Sequence, residues 1–353
     1  MRQGAFGTTR AGESVEQVQL ANANGICLSV LSYGGVIRAI HLPDRDGVFT
    51  DVALGYDTLD GYLADTSYFG ALVGRVANRV RAGRMTVDGR ELTLARNAGG
   101  NHLHGGERGF DKAVWRMVPF ERDAAAGVVL SHVSPDGDEG YPGTLHAEVT
   151  YTLDDSNELR VDYLATTDAV TPVNLTQHSY FNLSGEGIGD VLGHEITLAA
   201  SHFTPVDDAL IPTGELRAVQ GTPFDFTTPR RVGDRIGEPD AQLTLAGGYD
   251  HNFVIDRASP NGLALAAQLT DPVSGRGVDV FTTEPGIQFY SGNFLDGSAI
   301  GKRGRPYAFR TGLALETQHF PDAPNHPEFP SIVLRPGSEY RTSTIYRFVV
   351  RPS

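Results

Sequence analysis

The 353-residue chain has a single cysteine, Cys27, which excludes an intramolecular disulfide. It lies in the apolar run Ile26-Cys27-Leu28-Ser29-Val30, and a buried, inert thiol is expected there. Nowhere do the roughly 18 consecutive apolar residues of a spanning helix occur, and Met1 to Thr9 lacks the apolar centre of a secretory signal. The expected location is the cytoplasm. Basic residues are also in deficit, 29 Lys and Arg against 43 Asp and Glu, for a net charge of −14 with no basic stripe to offset it. That balance argues against nucleic acid and anionic membrane as partners and leaves a small neutral or cationic molecule. No nucleophile elbow, phosphate loop or dinucleotide fingerprint is present, so hydride transfer and nucleotide-driven chemistry drop out.

Helical periodicity is equally scarce. Asp57 to Ala64 fits one short helical turn, and no dozen-residue window carries a 3.6-residue apolar stripe. Period-two alternation is common instead. Ala147, Val149, Tyr151 and Leu153 alternate with His146, Glu148, Thr150 and Thr152; after Asp154 to Asn157, the residues Leu159, Val161 and Tyr163 alternate with Arg160 and Asp162. This spacing predicts a hairpin with one buried face. Further strands are expected across Val15–Leu42, broken at Asn22–Gly25 and Tyr33–Gly35, and at 115–120, 128–133, 195–198, 253–255, 263–270, 277–282 and 344–350. The 42 glycines and 20 prolines punctuate them. The pattern predicts an all-β protein, a large antiparallel β-sandwich forming one domain over residues 1–353, with 184–193 and 221–248 as its loop-richest intervals.

Thr171 to Leu183 breaks the strand rule: His178 sits among Asn174, Gln177, Ser179, Tyr180 and Asn182, too polar a company for a plain core strand. Four other stretches do the same, at 74–80, 101–106, 248–253 and 313–321, each setting charged or amide groups beside apolar strand residues like the walls of a polar pocket. Glu316 follows Leu313-Ala314-Leu315, so a carboxylate closes a buried strand; it is either a general base whose pKa burial raises or half of a buried ion pair. Arg79 and Asp250 stand between the same two readings, a brace or a pair of ligand-binding groups. His102 and His104, joined by His319 or His326, offer imidazoles for zinc, but there are no cysteine ligands and no helical His-x-x-x-His, and no metal is expected.

Taken together, six blocks closely resemble the aldose 1-epimerase (galactose mutarotase) family. They are Gly-Arg-Val-Ala-Asn-Arg-Val at 74–80, Asn-His-Leu-His-Gly-Gly at 101–106 with Gly-Phe-Asp-Lys-Ala-Val-Trp at 109–115, the stretch 171–183, Tyr-Asp-His-Asn-Phe at 249–253, Glu-Pro-Gly-Ile-Gln-Phe-Tyr-Ser-Gly-Asn-Phe-Leu at 284–295, and Glu-Thr-Gln-His-Phe-Pro-Asp-Ala-Pro-Asn-His-Pro at 316–327. The resemblance implies the family's β-supersandwich and interconversion of the α and β anomers of a free aldose such as galactose or glucose, without metal or cofactor, by a monomer or weak homodimer. It implies Glu316 as general base and His178 as general acid, with His104 polarising the ring oxygen or orienting the acid. Asn78, Arg79, Asp250 and Gln288 would hold sugar hydroxyls, and Ser179 and Tyr180 would line the same wall. Two readings compete on the same fold. A hexose-phosphate epimerase needs clustered Arg or Lys for a dianion, and only Arg79 appears in the pocket blocks; a non-catalytic carbohydrate-binding protein should lack Glu316 or His178, and both are present. Gln177, where Asn is expected in relatives, and Ala98-Gly99-Gly100 depart from the pattern at positions expected to adjust sugar preference.

Overall fold

The computed structural model describes residues 1–260 and 262–352. Three antiparallel sheets dominate it. The first five strands, Arg2–Thr8, Ser14–Ala21, Cys27–Leu31, Ile37–Pro43 and Phe49–Asp51, form a meander in chain order. A nine-stranded sheet runs Arg116–Arg122, Ala125–Ser134, Leu145–Asp154, Glu158–Thr167, Tyr340–Val350, Arg276–Thr282, Ala264–Thr270, Glu195–Leu198, Arg230–Arg231. A six-stranded sheet runs Tyr180–Phe181, Leu313–Gln318, Gly286–Tyr290, Asp250–Val254, His202–Phe203, Arg217–Ala218.

The expected hairpin is Leu145–Asp154 against Glu158–Thr167, and along its first arm the buried residues are Leu145, Ala147, Val149, Tyr151 and Leu153. Its turn is held by Asp154, whose Oδ1 accepts from the backbone of Ser156 (2.9 Å) and Glu158 (3.0 Å), the local side-chain bonding that makes Asp a turn residue. The inner faces of the nine- and six-stranded sheets meet in one core cluster, where Leu313, Leu315, Ile287, Phe289 and Phe253 pack with Val149, Val161, Val280 and Phe348. Thr317 Oγ1 lies 2.6 Å from Thr344 Oγ1 across that interface. Odd-numbered side chains of Leu313–Gln318 therefore face the sandwich interior, and period-two geometry sends Glu316 to the opposite face. Each fully buried Leu of such a strand contributes about 1.5–3 kcal/mol relative to exposure, which anchors the strand on the side away from its carboxylate.

Helix is confined to short pieces. Leu59–Ala64 falls where the sequence places a helical turn. Ala241–Ala246 lies inside an interval read as loop; Asp240 caps it by accepting from the N–H groups of Gln242 and Leu243, and Gly247 ends it in the left-handed region, the start and stop pattern of a short helix. Arg2–Thr8 is likewise a strand that the sequence pattern does not announce, and the last strand begins at Tyr340, four residues earlier than its alternation does. Cys27 is half-buried rather than buried, and the desolvation it does experience raises its thiol pKa. Among the described residues no helix is long and apolar enough to cross a membrane.

Candidate active site

The stretch 171–183 and the segment that leads into 74–80 run side by side over the outer face of the six-stranded sheet. Leu72–Val73 pairs with Thr176–Gln177, Gly70 N–H donates to His178 O (2.9 Å), and His178 N–H donates to Ala71 O (2.9 Å). The polar side chains that mark 171–183 mostly serve this crossing. Asn174 bonds both backbone groups of His319, Thr176 donates to Thr317 O (2.8 Å), and Gln177 donates to Gly70 O (2.8 Å) while accepting from Ser179 N (2.8 Å). Gln177 is thus a brace, and the expectation that it tunes sugar preference is not supported by its position, since it does not line the cavity.

Past Gly74, Asn78 takes a left-handed conformation (φ 63°) and Arg79–Val80 pairs with His102–Leu103. His104 follows, also left-handed (φ 50°). Gly105 then lets the loop close on Gly74: a Cβ there would lie 1.7 Å from Gly74 O, so no other residue fits. The result aims His104 at the sheet. Arg75, the first arginine of its block, is 1% exposed and donates to the carbonyls of Pro142, Gly143, Ser134 and Pro135, so it braces the loop, whereas Arg79 reaches the cavity.

The floor comes from sheet register. Gln288 stands opposite both Asn252 and Glu316, and Tyr290 opposite both Asp250 and Ala314. Above it is a cavity of about 200 Å³ lined by Glu316, His178, His104, Asn78, Arg79, Asp250 and Tyr180, together with Thr66, Ser67, Tyr68, Leu103, Tyr290, Phe294 and Leu295. Seven of the nine residues expected at the site therefore share one cavity. Gln288 and Ser179 do not line it. Gln288, across the strand from Glu316, donates to Asp250 Oδ1 (2.7 Å); Ser179, next to His178, leaves its Oγ buried without a partner. Asp250 also takes Arg79 Nη1 at 3.3 Å, so the brace and the ligand-facing pair turn out to be one arrangement. The sequence reading missed Tyr68, whose left-handed φ of 60° has no residue-type signal, and the aromatic rim of Tyr290 and Phe294, which lie in the 284–295 block it quoted.

Glu316 and His178 are 2% and 4% exposed, and Glu316 Oε1 lies 3.5 Å from His178 Nε2. Burial, helped by the Asp250 charge and opposed by Arg79, pushes the Glu316 carboxyl up to about 8. Burial pushes the His178 imidazole down to about 4. His104 falls well below the usual imidazole range, first through burial and then through the charges of His178 and Arg79. Glu316 Oε2 and His178 Nδ1 have no partner, and buried atoms in that state are free to engage a ligand.

His104, His178 and Glu316 also bring three metal-capable atoms within 4.8 Å of one another. The hydrogen bonding at His104 favours proton transfer over ligation. Its Nδ1 accepts the backbone N–H of Asn78 (3.1 Å), so the neutral ring carries its proton on Nε2 and presents a donor, where a metal needs a lone pair. The zinc set weighed from sequence is dispersed. His102 spends both nitrogens on Ala95 O (2.7 Å) and the Tyr141 hydroxyl (2.5 Å), His319 lies 2.6 Å from Glu284, and His326 pairs with Asp322 and Glu328.

A larger groove of about 1,070 Å³ lies over the outer face of the nine-stranded sheet. Several of its charged groups are already paired, Arg160 with Asp162, Arg341 with Glu339 and His319 with Glu284, and chemistry is better served by the smaller cavity, where a buried carboxyl and a buried imidazole meet.

A carboxyl and an imidazole with displaced pKa values, facing each other in a cavity below the roughly 300–1,000 Å³ of drug-sized pockets, define an acid–base enzyme for a small polar molecule on an antiparallel β-sandwich. Comparison with known proteins narrows the class. The chain belongs to the aldose 1-epimerase family, whose model matches residues 16–347. It is 48% identical over 339 residues to galactose mutarotase of Rattus norvegicus, covering 96% of this chain and 95% of that one. It is 40% identical over 341 residues to aldose 1-epimerase of Escherichia coli K12, covering 96% of each. Among solved structures, an aldose epimerase homologue from C. elegans superposes with a TM-score of 0.87 at 32% identity over 95% of this chain and 99% of that one. Galactose 1-epimerase from Lactobacillus acidophilus superposes with a TM-score of 0.87 at 28% identity over the whole of both chains.

Proposed function

We propose that the chain interconverts the α and β anomers of free aldohexoses such as galactose and glucose, and that the contact between Glu316 and His178, 3.5 Å apart on the floor of a small polar cavity, is its working part. Glu316 takes the proton from the anomeric hydroxyl while His178 delivers one to the ring oxygen. The C1–O5 bond breaks, the open-chain aldehyde turns about C1–C2, and closure on the other face returns both protons. Each group must act as acid in one direction and base in the other. His104, a fixed Nε2–H donor, hydrogen-bonds the ring oxygen; Asn78, Arg79 and Asp250 hold hydroxyls, with Gln288 acting through Asp250. Tyr180 packs against the imidazole, the rings 5.0 Å apart.

The energetics suit that exchange. Burial favours a protonated Glu316 beside a neutral His178, and the gap between about 8 and about 4 represents roughly 5 kcal/mol. Attraction between carboxylate and imidazolium at 3.5 Å is also about 5 kcal/mol at an effective dielectric constant near 20. The two placements of a single proton are therefore close in energy, and the pair passes it on without a deep trap.

Arg79 is the only Arg or Lys lining the cavity among the described residues, and it is paired with Asp250; that disfavours a phosphosugar. The same reading places the work in the cytoplasm, where a lone thiol stays reduced. The test is polarimetry of freshly dissolved α-D-galactose and α-D-glucose with and without the protein. Faster approach to the same final rotation is expected, and no acceleration with either sugar overturns the proposal.

A further inference from the structure

Among the side chains of the cavity that the proton transfers leave over, Tyr68 is the one whose ring lies against both His178 and His104. Tyr68 holds its left-handed φ of 60° because its turn is tied down on both sides. Asp65 accepts the backbone N–H of Ser67 (2.9 Å) and of Phe69 (3.1 Å), and Tyr56 donates its hydroxyl to the same carboxylate (3.0 Å). Strain of this kind persists only where the surroundings impose it. The residues that follow, Gly70 and Ala71, are the ones bonded to both backbone groups of His178. The turn that fixes the main chain of His178 therefore also presents an aromatic ring to its side chain.

That ring is centred 6.1 Å from the His178 ring and 25° from parallel to it, and 4.6 Å from the His104 ring. Tyr180 lies 5.0 Å from His178 at 23°, so two tyrosines flank the imidazole while His104 meets it edge-on at 5.2 Å. Charge around His178 is sparse. Glu316 faces Nε2, Nδ1 has no partner, Arg79 is paired with Asp250, and Lys112, 5.4 Å from the Tyr68 ring, is paired with Asp111. When His178 carries its proton, the tyrosine π faces are the remaining groups that favour the cation in a dry site.

We propose that Tyr68 is a positioning residue, keeping the His178 imidazole against Glu316 and the sugar ring oxygen and stabilising it while it is protonated. The proposal rests on His178 exchanging a proton with the substrate, and the experiment separates the two. Tyr68→Phe and Tyr68→Leu are compared with the unaltered protein by polarimetry on galactose from pH 3 to 9, with thermal melting of each and with His178→Asn as reference. Tyr68→Phe should keep kcat within about twofold. Tyr68→Leu, apolar but without a π face, should lower kcat about 3- to 30-fold at nearly constant KM and move the acid limb of kcat to lower pH. An unchanged kcat in Tyr68→Leu, or a reduced kcat with an unmoved acid limb and a lowered melting temperature, overturns the proposal, the second outcome assigning Tyr68 a structural role. In the His178→Asn background, Tyr68→Leu should add no further loss. Wild-type activity in His178→Asn alone would overturn the acid assignment on which the proposal rests.

Discussion

Replacing Glu316 by Gln should stabilise the protein while disabling it, and the stabilisation should depend on pH in a defined way. In the folded state the carboxyl holds its proton to about pH 8, against 4.5 for an ordinary glutamate, because burial penalises the anion. The folded protein thus binds an extra proton between those values, and stability falls as pH rises through the window. At about 1.36 kcal/mol per pH unit, the full penalty is on the order of 5 kcal/mol once the group is ionised. Gln keeps the shape and carries no such penalty. The difference in melting temperature between variant and parent should therefore grow from its value near pH 4.5 by about 6 °C at pH 9, taking about 2.1 cal/mol/K of unfolding entropy for each of the 353 residues. Calorimetry across pH measures it directly, and polarimetry on the same samples should show a loss of about 10²- to 10⁴-fold in anomer interconversion. A difference in melting temperature that stays flat from pH 4.5 to 9, or shrinks, would refute the reasoning, because Glu316 would then ionise in the folded state as freely as in water.

Other outcomes follow from the same geometry. The pair holds one proton between about pH 4 and about 8, so kcat corrected for the spontaneous reaction should form a plateau over that range and fall on both sides; a rate still rising at pH 9 would remove Glu316 from the titrating pair. His178→Asn should lower activity about as far as Glu316→Gln, whereas His104→Asn, which loses a hydrogen-bond donor, should leave measurable turnover; the reverse order would transfer the acid role to His104. Gln177→Asn cannot span both Gly70 O and Ser179 N, and should lose about 1–3 kcal/mol of stability in denaturant unfolding with the galactose-to-glucose rate ratio unchanged. A shifted ratio would return Gln177 to substrate recognition.

The legible part of the protein was what local covalent geometry carries. Side chains alternate across a strand whatever surrounds it, so the hairpin at 145–167 and the placement of Glu316 on the face opposite Leu313 and Leu315 could be read from residue order alone. Turn chemistry at Asn22–Gly25 and Asp154–Asn157 was legible for the same reason. Seven of the nine expected site residues meet in one cavity because five separated stretches each combined polar groups with strand residues, a local anomaly visible without a partner.

What only the tertiary structure decided was everything set by atoms far apart in the chain. Tyr340–Val350 joins the nine-stranded sheet by lying between Glu158–Thr167 and Arg276–Thr282, a long-range pairing that no local pattern specifies. Register across the six-stranded sheet set Gln288 opposite Glu316, where its amide is spent on Asp250 and does not line the cavity, and Ser179, beside His178, does not line it either. The left-handed turns at Tyr68, Asn78 and His104, the Asn78 N–H that fixes the His104 tautomer, and the opposite pKa displacements of Glu316 and His178 all arise from packing and desolvation. Residue order determined which acid and base the molecule carries; the fold, by excluding water and placing them 3.5 Å apart, decided how they hold their proton.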